Sequence, residues 1–321
     1  MTNTVEQDLD LTGNIERKGW RGAMQLLPTE RIILFGVLAS GGLAVLFPLL
    51  LERSVNWPPF VVGYAASLGL LGVGAYIRGA KAAPRIALAV IAVATFAGFT
   101  AGSSVLIYAL LPLPNPMVDE QLTRLGHAIG YDWQALVLAM TAYPGITRAL
   151  GFVYQSAIPQ LLLTICVLAS YGRAVALHRF LLVGMLTLVV CVAVWWAWPS
   201  VGYIGTLPLS DAEMRAAGLI YSQDYGAYLT RLLQHGPTRI TPEVITGVVG
   251  FPSYHTVMAC LVVFYLWRTV LFVPAVLFNL AMLLATLVHG GHHLVDLIGG
   301  LVVFALGVWI ANRLIRDPGP A

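Results

Sequence analysis

Charge is scarce in this chain. Only 10% of its 321 residues are Asp, Glu, Lys or Arg, and 58% are hydrophobic. A soluble domain carries about 25% charged residues, so a water-soluble globule is excluded and a polytopic membrane protein is indicated. The mean hydropathy of +0.81 agrees. The formal net charge of +3 is small and its basic residues are dispersed among loops, which gives no footing for a nucleic-acid partner. Cysteine is nearly absent as well. Cys166, Cys191 and Cys260 are odd in number and lie inside apolar stretches. They read as small packing residues and not as a disulfide framework. The first thirty residues hold no apolar core, so no cleaved signal peptide is expected. Residues 1–30 read as a polar cytoplasmic tail. Its Glu16–Arg21 stretch is suited to anionic headgroups, although a disordered terminus is the simpler reading.

What is abundant is apolar sequence in long runs. Roughly 20 apolar residues cross the hydrocarbon core as a helix. The runs at 32–51, 60–77, 86–111, 152–171, 180–198, 252–267, 270–288 and 294–312 predict an all-α bundle of about eight transmembrane helices. Arg17, Lys18, Arg21, Arg31, Arg78, Lys81, Arg85, Arg173, Arg179, Arg268, Arg313 and Arg316 then all fall on one side. The positive-inside rule makes that side cytoplasmic, with both termini on it. The opposite segments carry mixed charge. Residues 112–150 open with three prolines and continue as an amphipathic stretch through Trp133. Residues 199–251, rich in Tyr, Gly and Pro, have the makings of a lid, and Trp195, Trp196 and Trp198 are placed for an aromatic belt. No repeat is visible.

Two polar clusters interrupt the apolar pattern. One is Phe251-Pro252-Ser253-Tyr254-His255-Thr256. The other is His289-Gly290-Gly291-His292-His293-Leu294-Val295-Asp296. Both fall on the side opposite the basic loops, facing the exterior or periplasm. Ionisable groups at the rim of a span are costly to desolvate and mark function by default. On a helix, His292 and Asp296 share a face, so the carboxylate can hold one ring nitrogen and free the other for attack. His255, from another span, suits a proton donor. Pro252 fits a first helical turn, and the free amides that follow favour an anion such as phosphate. Gly290-Gly291 permits close backbone approach.

Together these residues resemble the type-2 phosphatidic acid phosphatase (PAP2) superfamily, and most of all its inositol-phosphorylceramide-synthase-like branch. The resemblance rests on Pro252-Ser253-x-His255 and on His292-x-x-x-Asp296. Weaker likeness, around Gly130–Trp133 and Tyr154–Ser156, extends back to about residue 115. It implies a six-helix catalytic core within 112–316, preceded by transmembrane helices over 31–111. It also implies phosphoryl transfer without metal or cofactor. His292 attacks phosphorus to form a phosphohistidine, Asp296 orients it, and His255 protonates the leaving group and then activates water or an alcohol acceptor. The donor is a lipid phosphate or phospho-headgroup, with a phosphosphingolipid, phosphatidic acid or an isoprenoid diphosphate as examples. The setting is a plasma or bacterial inner membrane.

The chain departs from the family in its cations. The Lys-x6-Arg-Pro motif is missing, and Ala285-Thr286 stands where phosphatases carry Ser-Arg. Arg148, Arg231 and Arg239 of the outer segments are the candidate replacements. Ser253, Tyr254, His289 and His293 complete the candidate substrate-binding set, with His289 and His293 in supporting positions. His127, His178 and His235 read as interfacial. Clustered histidines also raise a zinc site, but His-Glu-x-x-His is absent and no Glu accompanies the cluster. A transporter or flippase is the alternative from another class, against which no inverted repeat is seen. A catalytically lapsed scaffold is a third reading, prompted by the missing cations.

Overall fold

The computed structural model describes residues 26–80, 83–206 and 209–315. The tail through residue 25, with Glu16–Arg21, and the loop cations Lys81 and Arg316 lie outside the described residues. Among the described residues the chain is helical, with no β-strand and one isolated bridge between Val55 and Ile240. Three long apolar helices come first: α1 (Pro28–Leu50), α2 (Trp57–Ala80) and α3 (Pro84–Ala109). The amphipathic stretch forms α4 (Asp119–Ala128) and α5 (Trp133–Met140). Next come α6 (Pro144–Gln155), α7 (Ala157–Ser170) and α8 (Ala174–Ala197). The 199–251 segment folds into α9 (Tyr203–Thr206), α10 (Asp211–Ala216), α11 (Gln223–His235) and a 3-10 turn at Pro242–Val244. The last three are α12 (Tyr254–Tyr265), α13 (Phe272–Val288) and α14 (Leu294–Leu314).

Every expected span has an apolar helix over it, but not every helix is full length. By length and composition α1, α2, α3, α8 and α14 can cross a membrane, and the bent pair α5–α6 raises the number to six if taken as one span. The helices α7, α12 and α13 are apolar but have only 14, 12 and 17 residues. The expected eight full spans therefore resolve into five long helices and three short ones. The shortening has a local cause. The run at 152–171 is parted at Ser156, whose hydroxyl donates to Val153 O at 2.6 Å. The runs at 252 and 288 give way to the two polar clusters, whose backbone is buried in protein at Gly250, Ser253, Gly291 and His293. Irregular backbone at membrane depth is tolerated only where protein or a polar cavity surrounds it.

The two ends of the bundle differ in chemistry. At one end Glu30 lies in the first turn of α1, Arg78 in the last turn of α2, and His178 in the second turn of α8. Arg78 donates to both Glu30 carboxylate oxygens, with His178 Nε2 at 3.5 Å from the same carboxylate and Thr29 Oγ1 at 2.8 Å from His178 Nδ1. Arg179 donates to Ile315 O at the end of α14, and Arg173 to Trp267 O just past α12. His178, expected to be interfacial, is 3% exposed within this cluster. Glu30, a single charge in a basic stretch, gave no sign of being its centre. At the other end lie the loops 51–56, 110–118 and 198–250. They are tied by Asn56 N to Ile240 O (2.9 Å), Leu113 N to Leu233 O (2.9 Å) and Val118 N to Pro199 O (2.8 Å). The basic end and the histidine end are thus opposite. Trp196 and Trp198 are exposed near the latter, whereas Trp195 turns into the core.

The main hydrophobic cluster extends from Ile33 and Val37 of α1 and Leu88 and Ala92 of α3 to Val257 and Leu261 of α12 and Val303 of α14, and two smaller ones lie around Trp195 and Trp133. The helix α3 packs on α1 and α2 on one side and on α7 and α8 on the other. The cysteines form no disulfide.

Removing one partner of a buried ion pair leaves the other charged and dry, at a cost of about 3–5 kcal/mol. Glu30→Ala and Arg78→Ala are each expected to lower the thermal stability of the detergent-purified protein sharply, and the double variant by less than the sum. Additive losses in a double-mutant cycle would show that the pair is not coupled.

Candidate active site

The two polar clusters meet through Asp296. Its backbone carbonyl accepts from Ser253 N at 3.0 Å, which ties the start of α12 to the start of α14. Its side-chain Oδ2 accepts from His293 N at 2.9 Å and lies 3.0 Å from His292 Nδ1. Asp296 and Ser253 are fully buried and His292 is 5% exposed. The pairing of His292 with Asp296 is as expected, but its geometry is not that of one helix face. The helix α14 begins at Leu294 with His293 as N-cap, so His292 reaches Asp296 from the loop before it. Pro252 likewise precedes the helix. Ser253 is the N-cap of α12, its Oγ accepting from Thr256 N at 3.4 Å. The Ser253 cap satisfies one of the amides that the first turn of a helix leaves without an intrahelical partner.

His255, one residue into α12, faces His292. The ring centroids are 6.2 Å apart with the planes at 65°. Tyr154, at the end of α6, stacks on the other side of His255 at 4.4 Å and 18°. The three residues expected to act together, His255, His292 and Asp296, therefore converge. A carboxylate on Nδ1 selects the tautomer whose Nε2 carries the free lone pair. Burial pushes the His292 imidazole down to about 3, with the neighbouring His293 adding to the effect and the Gly250 carbonyl opposing it. At neutral pH the ring is thus uncharged. His289 is also held below the usual histidine range by burial, while its Nε2–H donates to Thr147 O at 2.7 Å.

The remaining candidates divide. His293 Nε2 lies 3.3 Å from Asp119 Oδ1, and its ring packs at 4.4 Å on Tyr203. Tyr254 turns away from His292 and donates to Gly184 O at 2.9 Å. Arg148, Arg231 and Arg239 are exposed; Arg148 donates back to Pro144 O and Arg239 to Asn56 Oδ1. None of the three lines the recess around His255 and His292. That recess, about 40 Å³, is walled by Tyr154, Tyr221, Tyr225, Gly250, Gly290 and both histidines, with no Arg or Lys among its lining residues. One water needs about 10–15 Å³, so there is room for a group of a few heavy atoms. Among the described residues no three His, Cys, Asp or Glu side chains are grouped as a metal-ligand set.

Asp119 is the residue that sequence reasoning missed. It stood as one charge in an outer loop. It is 6% exposed and accepts from Gly202 N (2.7 Å), Val201 N (3.2 Å) and Ser200 Oγ (2.8 Å) besides its contact with His293. It thereby anchors the 199–202 turn beside the second cluster. That contact is close because both chains use glycine. Gly202 and Gly291 have φ of +71° and +60°, and a Cβ on Gly202 would collide with the Gly291 carbonyl. Tyr203 N donates to that same carbonyl at 2.7 Å, and Tyr131 Oη to His292 O at 3.2 Å. Tyr131, in the Gly130–Trp133 segment, and Tyr154 carry the two weaker likenesses seen in the sequence, and both touch the site.

Long apolar helices around a buried His–His–Asp constellation define a membrane protein with a candidate acid–base site. A family model described as the PAP2 superfamily matches residues 120–310, more than half of the chain. The chain belongs to the PAP2 superfamily. The matched stretch contains α5 to α13 whole and both polar clusters, and it leaves α1–α3 outside. No curated protein and no solved structure matches the chain.

Truncating Asp119 leaves His293 and two amides without their acceptor, at roughly 1–3 kcal/mol for each buried group left unpaired. In Asp119→Ala, hydrogen exchange is expected to rise in peptides covering 199–205 and 289–295 while α1–α3 keep their protection. Unchanged exchange in both peptides would remove Asp119 from its anchoring role.

Proposed function

We propose that the protein is a phosphatase or phosphotransferase acting on a lipid phosphate through a phosphohistidine at His292. The observation that carries the reading is the buried His292 with Asp296 on Nδ1 and His255 facing it, the ring centroids 6.2 Å apart. In the first step His292 Nε2 gives its lone pair to phosphorus as the bond from phosphorus to the lipid oxygen breaks. His255, as imidazolium, hands its proton to the departing alkoxide. In the second step water or an alcohol attacks phosphorus, His255 takes the proton of the incoming hydroxyl, and the phosphorus–nitrogen bond breaks to restore His292. Asp296 stabilises the positive imidazole while it carries the phosphoryl group. An arriving phosphate supplies the negative charge that favours the imidazolium form of His255.

With no Arg or Lys lining the recess, the phosphate's charge is met by the Tyr254 and His255 amides at the start of α12 and by the Tyr221 hydroxyl. Arg148, Arg231 and Arg239 are left to the approach of an anionic substrate from outside. The motif resemblance to the inositol-phosphorylceramide-synthase-like branch favours a phospho-headgroup donor of the ceramide or inositol type, and the absent phosphatase cations bear on the substrate more than on the reaction. The 112–316 segment acts as the catalytic unit. The opposition of basic and histidine ends supports a site on the exterior or periplasmic face with the termini in the cytoplasm.

Purified protein is expected to release or transfer phosphate from lipid phosphates in the presence of chelator. His292→Ala is expected to abolish turnover, and His255→Asn to lower it by about 100-fold or more, the scale of general acid–base catalysis. Acid-labile radiolabel on residue 292 after rapid quench checks the intermediate; full turnover in His292→Ala would refute it. Movement of an uncleaved lipid across liposomes without phosphoester cleavage would favour a carrier instead. The pH profile follows from the neutral nucleophile. Because burial lowers the His292 pKa, protonation removes the nucleophile only well below the ordinary value of 6.5. The acid limb of kcat/KM is therefore expected below pH 6.5, and a limb at or above it would contradict the assignment.

A further inference from the structure

A second, larger cavity adjoins the catalytic recess. It encloses about 370 Å³, within the roughly 300–1,000 Å³ range of ligand pockets. His255, Tyr154 and Tyr221 border both spaces, whereas His292 borders only the recess. With the Gly247–Val249 stretch, which also borders both, the three shared side chains form the partition between them. One wall of the larger cavity is α12, at His255, Met258 and Leu261; another is α8, from Phe180 to Leu188. The facing wall is α3, through Phe96, Phe99, Thr100, Ser104, Ile107 and Tyr108. The hydroxyls of Thr100 and Ser104 bond back to Phe96 O and Thr100 O, both at 2.8 Å, so they place no free donor in the cavity.

The dimensions match one lipid tail. Tyr108 stands at the histidine end, where its hydroxyl donates to Thr246 O at 3.0 Å. Phe96 lies twelve residues deeper on the same helix. At about 1.5 Å per residue that is a depth of roughly 18 Å, slightly over half of the ~30 Å hydrocarbon core. A chain descending from a headgroup in the leaflet on the histidine side would end near Phe96. Its oxygen would then lie beside His255, where the proposed proton transfer to the leaving alkoxide takes place.

We propose that this cavity holds a single hydrocarbon chain of the lipid alcohol that leaves from phosphorus, and that α3 sets the chain length accepted. The proposal rests on the catalytic reading above and adds a substrate class: a lipid phosphate with one slender chain beside its phosphate oxygen. It also gives a task to a helix that lies outside the family-matched residues. The polar groups at phosphorus and the acceptor stay on the His292 side of the partition, the chain on the α3 side.

The test uses the full-length protein in detergent with monoalkyl phosphates of graded length. Ser104→Phe, which fills the upper cavity, is expected to lower the long-to-short turnover ratio by about tenfold or more, the scale on which apolar pockets discriminate chain size. Phe96→Ala, which lengthens the cavity, moves the preference toward longer chains. Ratios equal to those of the parent protein would overturn the proposal. Should Ser104→Phe fail to fold, Gly184→Leu fills the cavity from α8, since a Cβ there meets only Leu261 and Tyr254 at 3.8 Å. A photoreactive group at the end of the alkyl chain separates this proposal from the catalytic one. Cross-links on α3 together with no cleavage of any alkyl phosphate would uphold the chain site and sink the phosphatase reading. Cross-links confined to the outward faces of α2 and α13 would sink the chain site whatever the turnover.

Discussion

Asp296 is the joint on which the site depends. Its carbonyl holds the amide of Ser253, and its carboxylate holds both His292 and the amide of His293. One residue thereby fixes the register of two helices that start inside the protein and the orientation of the His292 ring between them. Such a joint works only when dry. In water each of these hydrogen bonds exchanges for one to solvent with little net gain, whereas a buried acceptor that loses its donors is expensive. The interruption of two apolar runs follows from the same constraint. The loops that carry the joint must be walled by protein, and so α12 and α13 are shorter than spans built only to cross lipid.

Burial also shapes the chemistry. The nucleophile proposed at His292 needs a neutral imidazole, and taking the ring out of water favours that form. The same dryness makes a buried arginine costly, and the recess has none among its lining residues. Charge is instead placed where it can be paired or wetted. The Glu30–Arg78–His178 cluster closes the far end of the bundle, and Asp119 is surrounded by donors. The arrangement leaves the histidine end polar through backbone amides and tyrosines, and the adjoining cavity apolar. His255 stands between the two media.

Much of this was legible in residue order. The eight apolar runs have helices over them, and His255, His292 and Asp296 were identified by their spacing and their cost in a membrane. What misled was the assumption that the second cluster lies on a helix. His293, expected about 100° around a helix from His292, is instead the cap of α14. Asp119 and Glu30 carried no signal, because a lone polar residue reads the same whether it meets solvent or a buried partner. The partners lie far away in sequence: Asp119 and His293 are 174 positions apart, Arg78 and Glu30 48.

The amino-acid sequence by itself determined the medium, the approximate helices and the chemical groups, since hydropathy, charge and motif spacing are local quantities that neighbours along the chain already fix. The tertiary structure alone decided which polar residues are dry, which helices stop short, and which side of His255 is apolar. Those properties depend on what packs against each atom, and packing brings together residues that no local pattern relates.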